Sequence, residues 1–163
     1  MKTLLITYHS VSGGTRQMAE AAALGAATEP AVTTRILTAQ QTHPADVLAA
    51  GGYIFATPET LAAVAGLMKD FFDRCYYPVL GQINGRPYAN LICAGSDGEN
   101  AARQIARIAT GWRLKPIAEP LIIRTSAQTP EAILAPKTIA AQDIETCRTL
   151  GATLAAGLSM GIF

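Results

Sequence analysis

Aromatic residues make up 6% of the 163 residues, with one tryptophan, so any core here is built mainly from aliphatic and small side chains. The three cysteines, Cys75, Cys93 and Cys147, are odd in number and far apart, with no CxxC pair. That pattern excludes a disulfide framework or a structural zinc site and reads as a reduced, cytoplasmic protein. Charged residues are also scarce, at 15%, and sum to +1. A balance so close to zero, with no run of Lys or Arg, supplies no field for gathering nucleic acid or anionic lipid. No stretch reaches the roughly 18 apolar residues of a membrane span. The brief apolar run after Lys2 is cut off by Tyr8-His9-Ser10 before it can act as a secretory h-region.

What is present is apolar and alternating. Half the residues are hydrophobic, enough to exclude disorder by composition, and the length predicts a single domain over 1–163. Runs rich in β-branched and aromatic residues recur at Lys2–Tyr8, Val32–Leu37, Gly52–Ala56, Tyr88–Ala94 and Leu121–Arg124. Helical patterns lie between them, over Thr15–Ala27, Ala45–Ala50, Glu99–Gly111 and Ala140–Gly157. Another helix is expected from Leu61 to Arg74, where Leu61, Val64, Ala65, Met68, Phe71 and Phe72 recur at helical spacing. Strands and helices in this order predict an α/β, doubly wound, five-stranded parallel sheet of order 2-1-3-4-5 with helices on both faces. Ligands of such sheets bind beyond the carboxyl ends of the strands, which singles out the loops after strands 1, 3 and 4. The segment Pro130–Pro136 reads as a loop before the last helix.

The first of those loops, Ser10-Val11-Ser12-Gly13-Gly14-Thr15, carries three hydroxyls and two glycines where a strand hands over to a helix. Glycines let the backbone approach a ligand, and the free N–H groups of a helix start favour an anion. One N-cap needs one hydroxyl, so the surplus points to a phosphate monoester rather than a bare cap. Several phosphate sites are excluded by what is missing. There is no GxxxxGK[ST], no GxGxxG and no cysteine in the turn, and Ala56-Thr57-Pro58 stands where a receiver domain needs an aspartate.

The hydroxyl-rich turn resembles the FMN phosphate loop of the flavodoxin-like family. Thr57-Pro58-Glu59-Thr60-Leu61, with Met68-Lys69-Asp70-Phe71-Phe72-Asp73-Arg74 beyond it, is similar to the corresponding segment of flavodoxin-like NAD(P)H-dependent oxidoreductases and quinone reductases. Gly95-Ser96-Asp97-Gly98 resembles the loop that borders the flavin ring there. The resemblance implies that Ser10, Ser12, Gly13, Gly14 and Thr15 hold the phosphate of FMN. It implies that Thr57, Pro58, Glu59, Thr60 and Leu61, with Gly95, Ser96, Asp97 and Gly98, border the ring. NADH or NADPH is then the electron donor and a quinone-like small molecule the acceptor, with no side-chain nucleophile or metal required. Two other readings stand beside it: an electron-transfer carrier of the flavodoxin type, and a scaffold that has lost flavin. Carriers in this family are typically strongly acidic, unlike a chain of pI near 7.7. The scaffold reading draws on Leu61-Ala62-Ala63, where related proteins place an aromatic residue.

The remaining candidates have ordinary structural roles as their first explanation. Tyr76, Tyr77 and Trp112 read as boundary residues, His9 as a solvent-facing turn residue and Cys93 as core. Asp97 and Glu99 suit a helix start. Arg103 and Arg107 share an exposed helix face, from which they offer charge to a nicotinamide 2′-phosphate. Without an aromatic over the flavin, the two tyrosines are expected near a homo-oligomer contact bordering the site.

Overall fold

The computed structural model describes residues 1–163. Strands β1 (Lys2–Tyr8), β2 (Val32–Thr38), β3 (Gly52–Thr60) and β5 (Pro87–Ala94) lie in one sheet, with helix α1 (Gly14–Ala26) after β1, α2 (Pro44–Ala49) after β2, and α3 (Gly66–Val79) between β3 and β5. After β5 come α4 (Glu99–Gly111), β6 (Lys115–Pro116), β7 (Leu121–Arg124), α5 (Pro130–Leu134) and α6 (Ala141–Met160). The spatial order is β2-β1-β3-β5, with β6 and β7 both parallel to β5 at the far edge. They are two pieces of one edge position. Pro116 and Pro120 each lack the N–H a continuous ladder needs, which breaks the strand. The expected 2-1-3-4-5 winding is therefore the observed one, in a sheet of seven strands rather than five.

The two additional strands are β6 and a short β4 (Ala63–Val64), which changes the reading of the third crossover. β3 continues past Ala56 to Thr60, turns at Leu61-Ala62, and pairs antiparallel with β4, Glu59 opposite Val64 and Thr60 opposite Ala63. The helix expected from Leu61 starts only at Gly66. Val64 and Ala65 are buried, so their spacing from Met68 imitates a helix face. The hairpin is held from outside. The Gln104 side chain accepts the Val64 N–H at 2.8 Å, the Thr57 hydroxyl accepts the Ala65 N–H at 3.3 Å, and the Asn100 amide donates to the Ala62 carbonyl.

The sheet separates two apolar layers. On one face Tyr53, Phe55, Phe71, Phe72, Tyr88 and Trp112 pack together, Phe55 and Phe72 with ring centroids 5.0 Å apart. Trp112, expected at a boundary, is 3% exposed inside this layer. The Met68–Arg74 motif belongs to it: Met68, Phe71 and Phe72 enter the core, while Lys69–Asp73 and Asp70–Arg74 form i,i+4 ion pairs on the outer side. On the other face α1 and α6 meet through Ala22, Gly25, Cys147 and Gly151. A Cβ at Gly151 would lie 1.9 Å from the Ala22 carbonyl oxygen, so only glycine permits this approach.

Candidate functional site

The carboxyl ends of β1, β3, β5 and β7 open into a cleft of about 450 Å³, within the range of small-molecule sites. Ser10, Ser12, Gly14 and Thr15 form one end; Pro58, Glu59, Thr60 and Leu61 a side; Gly95 and Ser96 another. Three loops distant in sequence thus converge where the sheet reverses its winding. Of the other expected residues, Gly13 faces away from the cleft, and Asp97 is exposed outside it. Thr57 and Gly98 are buried beneath it and act on its shape.

At the α1 end, Gly13 takes φ of 89° as the N-cap and offers no side chain to the helix start. The Arg16 N–H donates to the Ser10 hydroxyl at 3.3 Å. The N–H groups of Gly14 and Thr15 have no acceptor one turn back, as at any helix start, and both residues line the cleft. Thr15 is buried, and Cys93 lines the same cleft. Cys93 is part of the floor, and burial pushes its thiol above the ordinary range. A Cβ on Gly14 would lie 2.7 Å from the Cys93 sulfur, so the loop sits directly on β5 because residue 14 is glycine.

On the β3 side, Glu59 is fixed by one oxygen, which accepts the Gly98 N–H at 2.9 Å. Its other oxygen is buried with no protein partner. An unpaired buried carboxylate oxygen is costly, and a ligand N–H inside the cleft relieves that cost. Gly98 itself has φ of 92° and would bring a Cβ within 2.5 Å of Ile122. It lets the loop after β5 present its N–H to Glu59. At the mouth, Leu61 is 97% exposed, and it and Ala62 have φ of 49° and 58°. Two consecutive left-handed residues make the tight hairpin turn that usually carries Asn-Gly. For Leu and Ala that conformation costs about 1–2 kcal/mol each, offset by the bonds from Asn100 and Gln104.

The loop after β7 was not among those singled out from the sequence, yet Thr125, Ala127, Ile133, Leu134 and Lys137 also line the cleft. The segment read as a loop over Pro130–Pro136 contains α5, capped by the Thr129 hydroxyl, which accepts the Ala132 N–H at 3.2 Å. Gln17 ties this segment to α1, donating to the Lys137 carbonyl at 2.7 Å and accepting the Ile139 N–H at 3.1 Å. The available signal was topological: the fifth strand of the winding also ends at the carboxyl edge, and its following connection is long. Tyr76 and Tyr77 lie in the last turn of α3, about 15 Å of helix away from its cleft end. They do not line the cleft, so the expected tyrosine contact beside it is withdrawn. Arg103 and Arg107 line it no more than they do.

A hydroxyl-rich helix start, a long cleft and a buried carboxylate oxygen needing a donor fit a flavin mononucleotide: an anion at one end, a ring N–H at the other. The fold is that of the flavodoxin-like α/β proteins, with a cleft at the carboxyl ends of its strands. The profile of the family described as NADPH-dependent FMN reductase matches residues 40–128, and the chain belongs to that family. It is 30% identical over 108 residues to a flavodoxin of Aquifex aeolicus, covering 65% of this chain and 56% of that one. It is 32% identical over 94 residues to an NAD(P)H dehydrogenase (quinone) of Acidithiobacillus ferrooxidans, covering 45% and 47%. The chain spans about half the length of these two relatives. In structure it resembles a WrbA-like flavodoxin of Agrobacterium tumefaciens, with a TM-score of 0.74 and 19% identity over 98% of this chain and 99% of that one. No helix is long and apolar enough to cross a membrane.

Proposed function

We propose that the chain is a NAD(P)H-dependent oxidoreductase that holds FMN in this cleft and passes electrons to a quinone-like acceptor. The carrying observation is the buried, unpartnered oxygen of Glu59, whose carboxylate is oriented by the Gly98 N–H. FMN, when bound, supplies the two-electron chemistry between the nicotinamide and the acceptor. The N–H groups of Gly14 and Thr15 and the hydroxyls of Ser10 and Ser12 bind its phosphate. Glu59 accepts a ring N–H, and Thr60, Leu61, Gly95 and Ser96 flank the ring. Apolar Val11, Leu61, Ile133 and Leu134, all exposed at the mouth, suit a flat apolar acceptor and exclude water from the contact. Lys137 donates to the carbonyls of Ala132, Ile133 and Ala135, which keeps the α5 side of the mouth folded against the cleft.

Titration with FMN, followed by flavin fluorescence, tests the site. Ser12→Glu puts a carboxylate beside the phosphate and should weaken binding by more than about 100-fold. Glu59→Gln removes the charge from the bond to the ring and should cost about tenfold. Unchanged affinity in both variants would place the flavin elsewhere. Anaerobic mixing of the loaded protein with NADPH or NADH tests the activity. If neither bleaches the flavin absorbance while a reduced electron-transfer protein does, the carrier reading replaces the reductase.

A further inference from the structure

A second cavity, of about 460 Å³, opens at the ends of β1 and β2 on the other side of the phosphate loop. It shares Ser10, Val11, Ser12 and Leu134 with the cleft, so one ridge separates two compartments. Gly14 and Thr15 face the cleft; Gly13 and Arg16 face the second cavity. No carboxylate lines it. The Arg16 guanidinium has one ion pair, to Glu20 at 3.7 Å, with both side chains more than half exposed, a pairing of little worth that a better anion displaces. His9 also lines the cavity, half-buried rather than solvent-facing, and burial holds its imidazole below the ordinary value. Tyr8, Leu134 and Pro136 supply flat and apolar wall, while Thr38 and Gln40 supply polar groups.

We propose that this second cavity holds the phosphorylated adenosine end of the nicotinamide donor, with Arg16 on its ribose 2′-phosphate and Tyr8, Leu134 and Pro136 against its adenine. The inference rests on the reading that the cleft carries FMN and receives a nicotinamide. That ring must enter the cleft to react, and the shared Ser10–Ser12 ridge is the short way from there to a second site large enough for a nucleoside. A guanidinium matches a phosphate dianion in shape and charge. Arg103 and Arg107, the cations that the sequence offered for this purpose, line neither compartment. Arg16 is thereby the residue that makes the protein favour NADPH over NADH.

Calorimetric titration of the FMN-loaded protein with adenosine 2′,5′-bisphosphate and with 5′-AMP tests the assignment without any turnover. The bisphosphate should bind, and Arg16→Gln should weaken it about tenfold or more, the scale of one charge-assisted contact. That variant should leave 5′-AMP and FMN affinity within about twofold and erase the preference for NADPH in KM. His9→Ala should weaken both adenosine ligands. No binding of the bisphosphate at millimolar concentration, equal binding by Arg16→Gln, or displacement of FMN by the bisphosphate overturns the proposal. The reductase reading fails separately. Arg16-dependent bisphosphate binding in a protein whose flavin no nicotinamide reduces keeps the adenosine site and removes the reductase. Normal reduction by NADPH with no bisphosphate binding removes the site alone.

Discussion

The two faces of the sheet are packed on opposite plans. Beneath α3 and α4 the layer is aromatic, six large rings in mutual contact through Phe55, Phe71, Phe72 and Trp112. Beneath α1 and α6 the helix contact is made of Ala, Gly and Cys, and backbone touches backbone at Gly25 and Gly151. Rings fill space and leave helix positions to the shape of the side chains. Glycine contacts leave no such freedom, because a carbonyl oxygen cannot be repacked. The hydroxyl-rich Ser10–Thr15 turn is attached to the second kind of helix. The turn proposed to hold the FMN phosphate is thus carried by the helix whose place the backbone itself defines.

The largest test of this contrast is on the aromatic face. Phe72→Ala leaves a cavity among rings and should cost about 4 kcal/mol, read from denaturant midpoints, while FMN affinity at low denaturant stays near that of the parent. Gly151→Ala should cost somewhat less, about 3 kcal/mol, through overpacking, yet weaken FMN binding measurably because α1 must shift from α6. If FMN affinity follows the loss of stability equally in both variants, the two faces do not differ in what they position.

A smaller effect sharpens the comparison by pH. Each face buries one thiol completely: Cys75 in the aromatic layer and Cys147 in the helix contact. Burial raises them, to about 11 and about 12 respectively. A thiol held neutral by the fold contributes stability that is complete below its unfolded pKa near 9. That contribution drains away as pH climbs towards the folded values. The unfolding free energy from urea titration should therefore be flat from pH 7 to 8.5 and fall between pH 9 and 11, by at most roughly 1.4 kcal/mol per pH unit for each thiol. Cys75→Ala and Cys147→Ala should each shrink the fall. A midpoint unchanged at pH 10.5 would mean that neither thiol is so shielded.

The smallest effect concerns the hairpin beside the aromatic face. Ala62→Gly relieves a left-handed alanine and should stabilise by about 0.5–1 kcal/mol, the strain relieved exceeding the entropy added. Destabilisation would show that Asn100 and Gln104 hold the turn at no cost to Ala62.

The strands were legible from β-branched, apolar runs because a buried parallel strand needs little beyond its own composition, and all five expected runs begin within one residue of an observed strand. The α1 turn was legible too, since hydroxyls and glycines at a helix start act locally. Residues 61–65 were misread because the hairpin depends on Asn100 and Gln104 on another element, and nothing in Leu-Ala announces a left-handed turn. The α5 side of the cleft depends on Gln17 meeting Lys137 and Ile139 across about 120 residues, which no local pattern encodes. The side of the phosphate loop that Arg16 faces, and the distance of Tyr76 and Tyr77 from the cleft, follow from helix phase and direction. The sequence by itself determined the order of elements and the hydroxyl-rich, glycine-containing character of the first turn, because propensity and periodicity act over neighbouring residues. Tertiary structure decided which loops share a cleft and which cation stands beside it, because those depend on contacts that exist only once the sheet has wound.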